Sequence, residues 1–430
     1  MNKTAKVRNI TILLVVIFAL GAGAFLFVRE TAEKPVAPKL DSAGATPQSI
    51  SETIKANNKF ALSFYSNLKD KEKGNIFFSP YSISTALSMV YEGARGRTAD
   101  EIQSVFSFLK SDSLRRSSVA ALYNRLNKKG AGCKLYTANA LWVQKDYSLL
   151  NEFLQVIRNY YGGEARNVDF KKALEKARLT INRWVESKTN GKIKNLFPQS
   201  SLAHLTRLVL TNTIYFKGKW AKQFDKSKTR KEDFMLSDSK KIRVPMMRQI
   251  GEEAKFNYTE TKEAQILELP YKGNELSMLV ILPKSPKLND LEKRLTLERL
   301  SKWRKSLKKQ RVDVYLPKFI LKNKYFLNEN LKEMGMLLAF MPPSPTGGAD
   351  FSGISGERDL FIGIVIHQAF VDVDEEGTEA AAATGVGFDI TSIWPGKVPV
   401  FRADHPFIFL IQEKESGNIL FMGRVENPSI

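Results

Sequence analysis

Cysteine and histidine are scarce in this chain, and their scarcity excludes several kinds of chemistry. The one cysteine, Cys133, can neither close an intramolecular disulfide nor form a CxxC redox or metal site. The three histidines, His204, His367 and His405, are too widely spaced for an HExxH zinc centre. The motifs GxxxxGK[ST], GxGxxG and GxSxG are absent as well. Nucleotide-driven chemistry and the common hydrolase mechanisms are therefore disfavoured.

Acidic residues are few relative to basic ones. The chain has 66 lysines and arginines against 45 aspartates and glutamates, which gives a formal charge of +21. Such an excess favours anionic surroundings: nucleic acid, an acidic polysaccharide or an anionic membrane surface. With 43% hydrophobic and 26% charged residues, the composition is typical of a globular protein with a sizeable core. A length of 430 residues allows two or three domains, or one large one.

Charged residues are missing from one stretch near the N-terminus, residues 10–28. Three cations and no acid precede it: Lys3, Lys6 and Arg8. A mostly apolar stretch of this length can cross a membrane as a helix, with the positively charged N-terminus in the cytoplasm. Ala22-Gly23-Ala24 supports a rival prediction, because it fits the A-x-A cleavage site of a signal peptide. Residues 1–30 are thus a signal-anchor or a signal peptide, and either places the remainder outside the cytoplasm, membrane-anchored or secreted.

The composition changes again after this stretch. Residues 31–48 are rich in proline, alanine, serine and lysine, which is typical of a flexible linker. Beyond them, apolar residues at helical spacing predict helices through about Lys188, with one short apolar strand at residues 75–78. Further short apolar runs predict strands from Leu208 onward. Helices early and strands late indicate the α+β class, because α/β folds alternate the two. No proline- or glycine-rich break divides residues 49–430, which we interpret as one large domain.

An unusual segment follows the predicted strand at residues 364–373. Residues 374–396 read DEEGTEAAAATGVGFDITSIWPG, which taken alone fits a surface loop or a short alanine-rich helix. From Thr378 to Phe388, however, every second residue is small or apolar, which is the pattern of a half-buried strand. A segment that fits both a solvated loop and an inserted strand is a candidate conformational switch.

Longer motifs extend over nearly the whole predicted domain. They are NIFFSPYSISTALSMVYEGARGRTADEI (75–102), TNGKI (189–193), TNTIYFKGKW (211–220), LELPYKG (267–273), LPKF (316–319), ADFSGIS (349–355), DEEGTEAAAAT (374–384), HPFIFLI (405–411) and FMGRVENP (421–428). On these motifs, in this order and spacing, the chain resembles the serpins, a family of serine protease inhibitors, over roughly residues 50–430. It is similar to the inhibitory type, with a prokaryotic-looking leader at its N-terminus.

The resemblance implies a metastable α+β fold, the serpin fold, with three β-sheets, about nine helices and an exposed reactive-centre loop. A target endopeptidase of the serine class, or of the cysteine class, cleaves this loop and forms an acyl-enzyme. The cleaved loop then inserts into the central sheet and distorts the protease. The inhibitor is therefore a monomeric suicide substrate and not an enzyme, and it needs no cofactor and no metal. The alternative is a non-inhibitory serpin with a binding or chaperone-like role.

Three groups of residues with roles in the family match positions of this chain. The hinge, where the loop starts to insert, matches Glu375, Glu376, Gly377, Thr378, Glu379, Ala380, Ala381, Ala382, Ala383 and Thr384. The shutter, a buried hydrogen-bond cluster that latches the sheet, matches Ser79, Ser82, Asn212 and His367. The breach, where the loop first enters, matches Trp220, Lys318 and Glu375, the last two as an ion pair. Small hinge residues favour inhibition, because non-inhibitory relatives carry charged, bulky or proline residues there.

The family's spacing places the scissile bond between Thr391 and Ser392, and slips of one residue are common. The stretch 377–396 contains no lysine or arginine, which disfavours a trypsin-like target, whose primary pocket needs a cation. A small Thr391 suits an elastase-like or subtilisin-like protease, and Phe388 would fill a hydrophobic fourth subsite of the latter. Cleavage after Asp389 would instead indicate an aspartate-specific protease.

Two clusters of cations are candidates for polyanion binding. One lies where cofactor serpins bind heparin: Lys110, Arg115, Arg116, Arg125, Lys128 and Lys129. The other is SKWRKSLKKQR (301–311), which has Trp303 among its cations. Each is also typical of a solvated basic helix face. If either is functional, its partner is an anionic cell wall, a polysaccharide or a nucleic acid, and binding weakens steeply with salt through counterion release.

Overall fold

The computed structural model describes residues 38–128, 132–378 and 398–429. Ten α-helices lie within these ranges, close to the number expected. In chain order they are α1 (Pro47–Lys69), α2 (Pro80–Gly93), α3 (Gly96–Phe106), α4 (Asp112–Leu126), α5 (Asn151–Val156), α6 (Leu174–Lys188), α7 (Asn289–Lys293), α8 (Leu297–Ser306), α9 (Asn328–Glu333) and α10 (Ser352–Ser355). A π-helical turn, Ile157–Tyr161, continues α5, and two 3-10 turns lie at Lys226–Lys228 and Leu338–Phe340.

The strands of the described ranges form three β-sheets. In chain order they are β1 (Ile76–Phe78), β2 (Cys133–Gln144), β3 (Glu164–Val168), β4 (Leu208–Lys219), β5 (Arg230–Met235), β6 (Lys241–Gln249), β7 (Lys255–Glu260), β8 (Ala264–Pro270), β9 (Leu276–Pro283), β10 (Lys308–Arg311), β11 (Asp313–Pro317), β12 (Phe319–Phe326), β13 (Ile362–Val373), β14 (Gly377–Thr378), β15 (Val400–Arg402), β16 (Phe407–Glu413) and β17 (Ile419–Val425). The central sheet has the order β12-β13-β14-β4-β2-β3. The other two have the orders β1-β17-β16-β9-β8-β7-β10 and β15-β11-β6-β5. The predicted α+β class with three sheets is confirmed.

A long strand lies in the region that the sequence pattern assigned to helices. β2 pairs antiparallel with β4 along nearly its whole length, and β3 pairs parallel with its C-terminal part. The prediction that helices continue through about Lys188 is therefore wrong for residues 133–144 and 164–168. The second half of β2 is buried on both faces: Leu141 and Val143 lie in the main core, while Ala140 and Trp142 pack against α6. A strand buried on both faces lacks the alternation by which it is recognised.

Helix α2 carries polar groups underneath the central sheet. Ser79 caps the helix by accepting a hydrogen bond from the amide of Ser82, and Pro80 takes the first helical position. The helix is almost entirely buried, because it packs against β2, β4 and β17 and against α1. Its N-terminus therefore meets the side chains of Asn212 and His367 on the middle strands.

The domain begins earlier than the predicted boundary at Ser49. Leu40 is buried, and its amide and carbonyl both bond to the side chain of Asn124 on α4. Thr46 then caps α1, which begins at Pro47. The predicted linker thus extends too far, because residues 38–48 are held to the domain by one leucine and these backbone bonds despite their linker-like composition.

Among the helices of residues 38–128, 132–378 and 398–429, none has the length and apolar character that crossing a bilayer requires. The predicted span, residues 10–28, lies outside these ranges. The signal-anchor and signal-peptide alternatives therefore stay predictions.

Candidate functional site

The two middle strands of the central sheet separate at one end. β13 and β4 are parallel neighbours from the pair Ile362–Leu208 to the pair Phe370–Tyr215. Beyond Phe370 the direct pairing stops, and each strand instead pairs with β14. The sheet is therefore closed along most of its length and open at this end, which is the place the resemblance assigns to the breach.

The two residues of β14 fill this opening. Thr378 lies opposite Val373 on one side and Gly218 on the other, so β14 runs antiparallel to both neighbours. A Cβ atom on Gly377 would come within 2.1 Å of the carbonyl oxygen of Gly218, which leaves room for glycine alone. Gly377 and Thr378 of the predicted hinge thus already form a strand.

The side chain of Thr378 points into the core. It is fully buried, and its Oγ1 lies 2.9 Å from the hydroxyl of Tyr271. Burial raises the pKa of Tyr271 well above its ordinary value, so this hydroxyl stays protonated. Trp220 stacks on the Tyr271 ring with centroids 4.6 Å apart and donates from its indole Nε1 to the carbonyl of Asp374 at 2.9 Å. Trp220 therefore closes the breach from the side of β4.

The connection between β4 and β5 holds the base of the loop. The amides of Trp220 and Phe224 donate to the carbonyls of Glu376 and Glu375, at 2.9 and 2.8 Å. The hydroxyl of Thr229 donates to Glu375 Oε1 at 2.8 Å. Sequence reasoning found Trp220 but missed Phe224, because its backbone bond leaves no signal in residue type. It also missed Thr229, because only the fold brings this hydroxyl to Glu375.

Two buried carboxylates at the base of the loop each meet a lysine. Lys318 Nζ lies 2.8 Å from Glu375 Oε2, and Lys226 Nζ lies 2.6 Å from Glu376 Oε1. The carboxylate side chains are 5% and 4% exposed. Burial alone would raise the pKa of Glu375, but hydrogen bonds from Lys318 and Thr229 outweigh it and hold the pKa below its ordinary value. The pair of Lys318 with Glu375 is the one the resemblance implied, whereas the pair of Lys226 with Glu376 was not foreseen.

At the middle of the sheet, the four predicted shutter residues meet. His367 on β13 and Asn212 on β4 face each other with Nδ1 and Oδ1 2.5 Å apart. The Asn212 amide nitrogen lies 2.6 Å from Ser82 Oγ, and the Ser79 amide donates to His367 Nε2 at 3.1 Å. Asn139 on β2 joins the cluster, its Oδ1 2.6 Å from the same Asn212 nitrogen. Sequence reasoning missed Asn139 because β2 was not recognised as a strand.

The hydrogen bonds of His367 decide its protonation. Because Nε2 accepts from the Ser79 amide, the proton of the neutral ring sits on Nδ1, which donates to Asn212. Burial lowers the pKa of His367 to about 3. The ring is therefore neutral at physiological pH, and its hydrogen bond to Asn212 joins β13 to β4.

The cations of α4 do not form a free basic surface. Arg115 is buried and donates to Glu92 at 2.8 Å, and Arg116 pairs with the other oxygen of Glu92 at 2.6 Å. Arg125 pairs with Glu413 at 2.5 Å. The prediction that Arg115 contacts a polyanion is wrong, because its charge is neutralised and removed from solvent.

The basic stretch on α8 and β10 differs from the cations of α4 in both exposure and ion pairing. Its lysines are exposed, and in the described part of the chain no ion pair joins them to a carboxylate: Lys302, Lys305, Lys308 and Lys309. Trp303, in contrast, is buried in the main core. This surface therefore presents uncompensated positive charge without an aromatic side chain.

Other predicted site residues lie outside the described ranges. They are Lys129, Glu379, Ala380, Ala381, Ala382, Ala383, Thr384, Thr391 and Ser392. Their roles stay predictions. Among the residues that are described, no group of histidine, cysteine and acidic side chains could hold a metal ion.

Known proteins match this chain over most of its length. A family model described as "Serpin (serine protease inhibitor)" matches residues 55–428. An uncharacterized serpin-like protein of Thermococcus kodakarensis is 44% identical over 377 residues, which cover 87% of this chain and 85% of the relative. The leukocyte elastase inhibitor of Homo sapiens is 42% identical over 381 residues, which cover 87% of this chain and 98% of the relative. Among solved structures, human thyroxine-binding globulin complexed with thyroxine has a TM-score of 0.79 at 31% identity, over 89% of this chain and 100% of that one.

Proposed function

Because the chain belongs to the serpin family of serine protease inhibitors, we propose that it inhibits an endopeptidase irreversibly, as a suicide substrate. The family match confirms the resemblance that the motifs indicated. In the proposed mechanism the protease cleaves the loop and forms an acyl-enzyme, and the cleaved loop inserts between β13 and β4. The inhibitor is consumed in the process, so it acts as a substrate and does not turn over.

The observation that carries this proposal is the short strand β14. Its two residues occupy the site of insertion in the uncleaved chain, paired antiparallel with both strands that insertion must separate. Thr378 already has the buried position and the hydrogen bond to Tyr271 that an inserted strand needs. Insertion would therefore extend an existing strand, and no new one has to be nucleated.

The register of β14 predicts where the rest of the loop would pair. Continued without a bulge, it brings Thr384 between Asn212 and His367 and brings Phe388 to the far end of β4. Residues two, four, six, eight and ten positions after Thr378 would face the core, and all of them are small or apolar. The acidic residue next to Thr378 would face away from the core. The loop thus suits insertion along the whole of β4.

Insertion in this register would replace the backbone hydrogen bonds between β13 and β4 by two sets, one on each side of the inserted strand. The bond between His367 and Asn212 crosses the seam and would break, while the hydroxyl of Thr384 would arrive on the same face as a new partner. Each inserted residue can bond to strands on both sides, and a net hydrogen bond stabilises by about 1 kcal/mol. The energy difference therefore favours the inserted state once cleavage has freed the loop.

The target that we propose is an elastase-like or subtilisin-like protease, cleaving between Thr391 and Ser392. Residues 377–396 carry no lysine or arginine that a trypsin-like pocket could bind. The similarity to the human leukocyte elastase inhibitor supports the same class of target. Phe388 adds a hydrophobic side chain three residues before Thr391, which favours a subtilisin-like target over an elastase-like one.

Incubation with a panel of subtilisin, elastase, trypsin and an aspartate-specific protease tests the proposal. An inhibitor gives a denaturant-stable complex with the first two, and mass spectrometry places the cut between residues 388 and 393. A protein with the binding or chaperone-like role is cut without trapping the protease, and its cleaved form keeps its original thermal stability. Cleavage without trapping would refute the inhibitory function and support a binding one.

We also propose that the domain works outside the cytoplasm, held to the membrane by residues 10–28 or secreted after cleavage near Ala24. The apolar stretch and the cations ahead of it support both forms. Carbonate extraction and N-terminal sequencing separate them, since an anchored protein stays with membranes and a secreted one begins near Phe25. Recovery of the full chain in the cytoplasm would contradict both.

A polyanion partner is proposed for the surface of α8 and β10. Its exposed lysines lack ion-pair partners in the described residues, whereas the arginines of α4 are already paired. Because Trp303 is buried and cannot stack on bases, an anionic polysaccharide fits this surface better than a single-stranded nucleic acid. Binding to dextran sulfate that falls steeply with salt would support this partner, and a flat salt response would refute it.

A further inference from the structure

The base of the loop contains a buried carboxylate that has one cationic partner among the residues the structure describes. The side chain of Glu376 is 4% exposed, and its Oε1 accepts a hydrogen bond from Lys226 at 2.6 Å. Its other oxygen, Oε2, is buried and has no hydrogen-bond partner among the described residues. A buried charge must be compensated, so the position of Glu376 depends on the ammonium group of Lys226.

The same residue sits at the turn that joins β13 to β14. The amides of Glu376 and Gly377 donate to the Asp374 carboxylate at 2.9 and 3.2 Å, and the Asp374 amide donates to the Gly377 carbonyl at 2.9 Å. The backbone of Glu376 is also tied to the far side, where the Trp220 amide donates to its carbonyl. A displacement of Glu376 would therefore displace the turn and the strand that follows it.

This turn sets the register in which the loop enters the sheet. A shift of one residue exchanges the two faces of a strand. Thr378 would then leave the core, and the acidic residue after it would enter. The register has to be fixed before insertion begins, because the first residue pair determines how every later residue of the strand is paired.

We propose that Lys226 is a positioning residue for loop insertion, which holds Glu376 in place so that β14 enters the sheet in the register that buries Thr378. Lys226 is itself 56% exposed on a 3-10 turn, so its ammonium group reaches the buried carboxylate from the solvent side. The hydrogen bond to Glu376 also raises the pKa of Lys226, which keeps it charged. This inference rests on the proposed inhibitory function and names a residue that controls it.

Lys226→Met tests the inference, because methionine keeps much of the apolar stem and removes the charge. The uncompensated carboxylate of Glu376 should then move towards water and draw β14 out of the sheet. In the free, full-length protein, amide hydrogen exchange of the segment 374–378 should become faster by about tenfold or more. With subtilisin or elastase, more inhibitor should be cleaved for each protease trapped, while the rate of loop cleavage stays unchanged.

The chain offers a matched control two residues away. Lys228 lies on the same 3-10 turn and is 42% exposed, and its ion-pair partner within the described ranges is the exposed Asp225, at 4.0 Å. Lys228→Met should leave both the exchange rate and the trapping ratio at their wild-type values. Lys226→Arg should also behave as wild type, because it keeps the charge.

A double variant separates the charge from packing. Glu376→Gln removes the buried charge and keeps the shape, so it should restore slow exchange in the Lys226→Met background. No rescue, or wild-type exchange and trapping in Lys226→Met alone, would overturn the inference. If the wild-type chain traps no protease, the proposed function fails, but the exchange measurements on the free protein still decide whether Lys226 positions β14.

Discussion

Thr378→Arg is the perturbation that most directly tests loop insertion. Thr378 is fully buried between β13 and β4, and the polar group within hydrogen-bond distance of its side chain is the neutral hydroxyl of Tyr271. An arginine at this position would replace a small neutral group by a long cation. The surroundings are tight, since even a Cβ atom added to the neighbouring Gly218 would lie 2.8 Å from the sulfur of Cys133.

The magnitude follows from the burial of the charge. The effective penalty for an ion buried without a partner is several kcal/mol, and every 1.4 kcal/mol corresponds to about a factor of ten. Arginine should therefore keep β14 out of the sheet in the uncleaved protein, and a penalty of roughly 3–4 kcal/mol for its entry after cleavage would slow insertion by about 100- to 1000-fold. Deacylation would then be faster than trapping, so that the protease is released and the cleaved inhibitor is left behind.

The assay compares cleavage with trapping. Thr378→Arg should be cut at the same bond as the wild type, since the bond at Thr391 is far along the chain from the substitution. It should give little denaturant-stable complex, and its cleaved form should lack the rise in thermal stability that insertion produces. Thr378→Ser, which keeps the hydroxyl that meets Tyr271, is the control and should trap protease normally. Wild-type stoichiometry of trapping by Thr378→Arg would refute the insertion mechanism.

Three further experiments address the shutter, the breach and the basic surface. Burial lowers the pKa of His367 from its ordinary value of 6.5 to about 3, so the folded protein should lose roughly 1.4 kcal/mol of stability per pH unit as the pH falls from 6.5 towards 3. Urea unfolding across this range measures the loss, and His367→Ala, which leaves its buried partners unpaired, should remove this histidine's share of the pH dependence, cost about 1–3 kcal/mol and promote polymers. Lys318→Glu should place a second negative charge beside buried Glu375 and increase polymerisation on mild heating, measured by native gel electrophoresis; an unchanged monomer fraction would mean that the pair does not hold the breach. Lys302→Glu with Lys305→Glu should weaken dextran sulfate binding and reduce its salt dependence, and equal binding by the variant would assign the polyanion elsewhere.

The sequence allowed much of the site to be predicted, because motif residues keep their spacing from the loop. Ser79, Asn212 and His367 were named from motifs far apart in the chain, and the structure brings them within hydrogen-bond distance. Asn139 belongs to the same cluster but could not be found, because the two-sided burial of β2 removes the alternation that identifies a strand. Lys226 was missed for a different reason, since nothing in a lysine on a connection shows that it faces a buried carboxylate.

The charged residues also show what can be predicted from the sequence and what depends on the fold. Arginine at position 115 and lysine at position 302 looked alike in the sequence, as members of two basic clusters. In the folded chain Arg115 is buried against Glu92, whereas Lys302 is exposed and has no ion-pair partner among the described residues. Residue type sets the sign of a charge, but its energy depends on solvent and on neighbours that are distant in the chain.

The sequence by itself determined the family, the α+β class and the two-faced character of the loop, because these depend on residue type and on the order of neighbours along the chain. Tertiary structure decided where the central sheet is open, which lysines hold the base of the loop, and in which register Thr378 enters. These properties depend on pairing between strands whose residues are more than 100 positions apart, such as Gly218 and Thr378. A local pattern can show that a segment is able to become a strand, but only the strands on either side of it decide where that strand is formed.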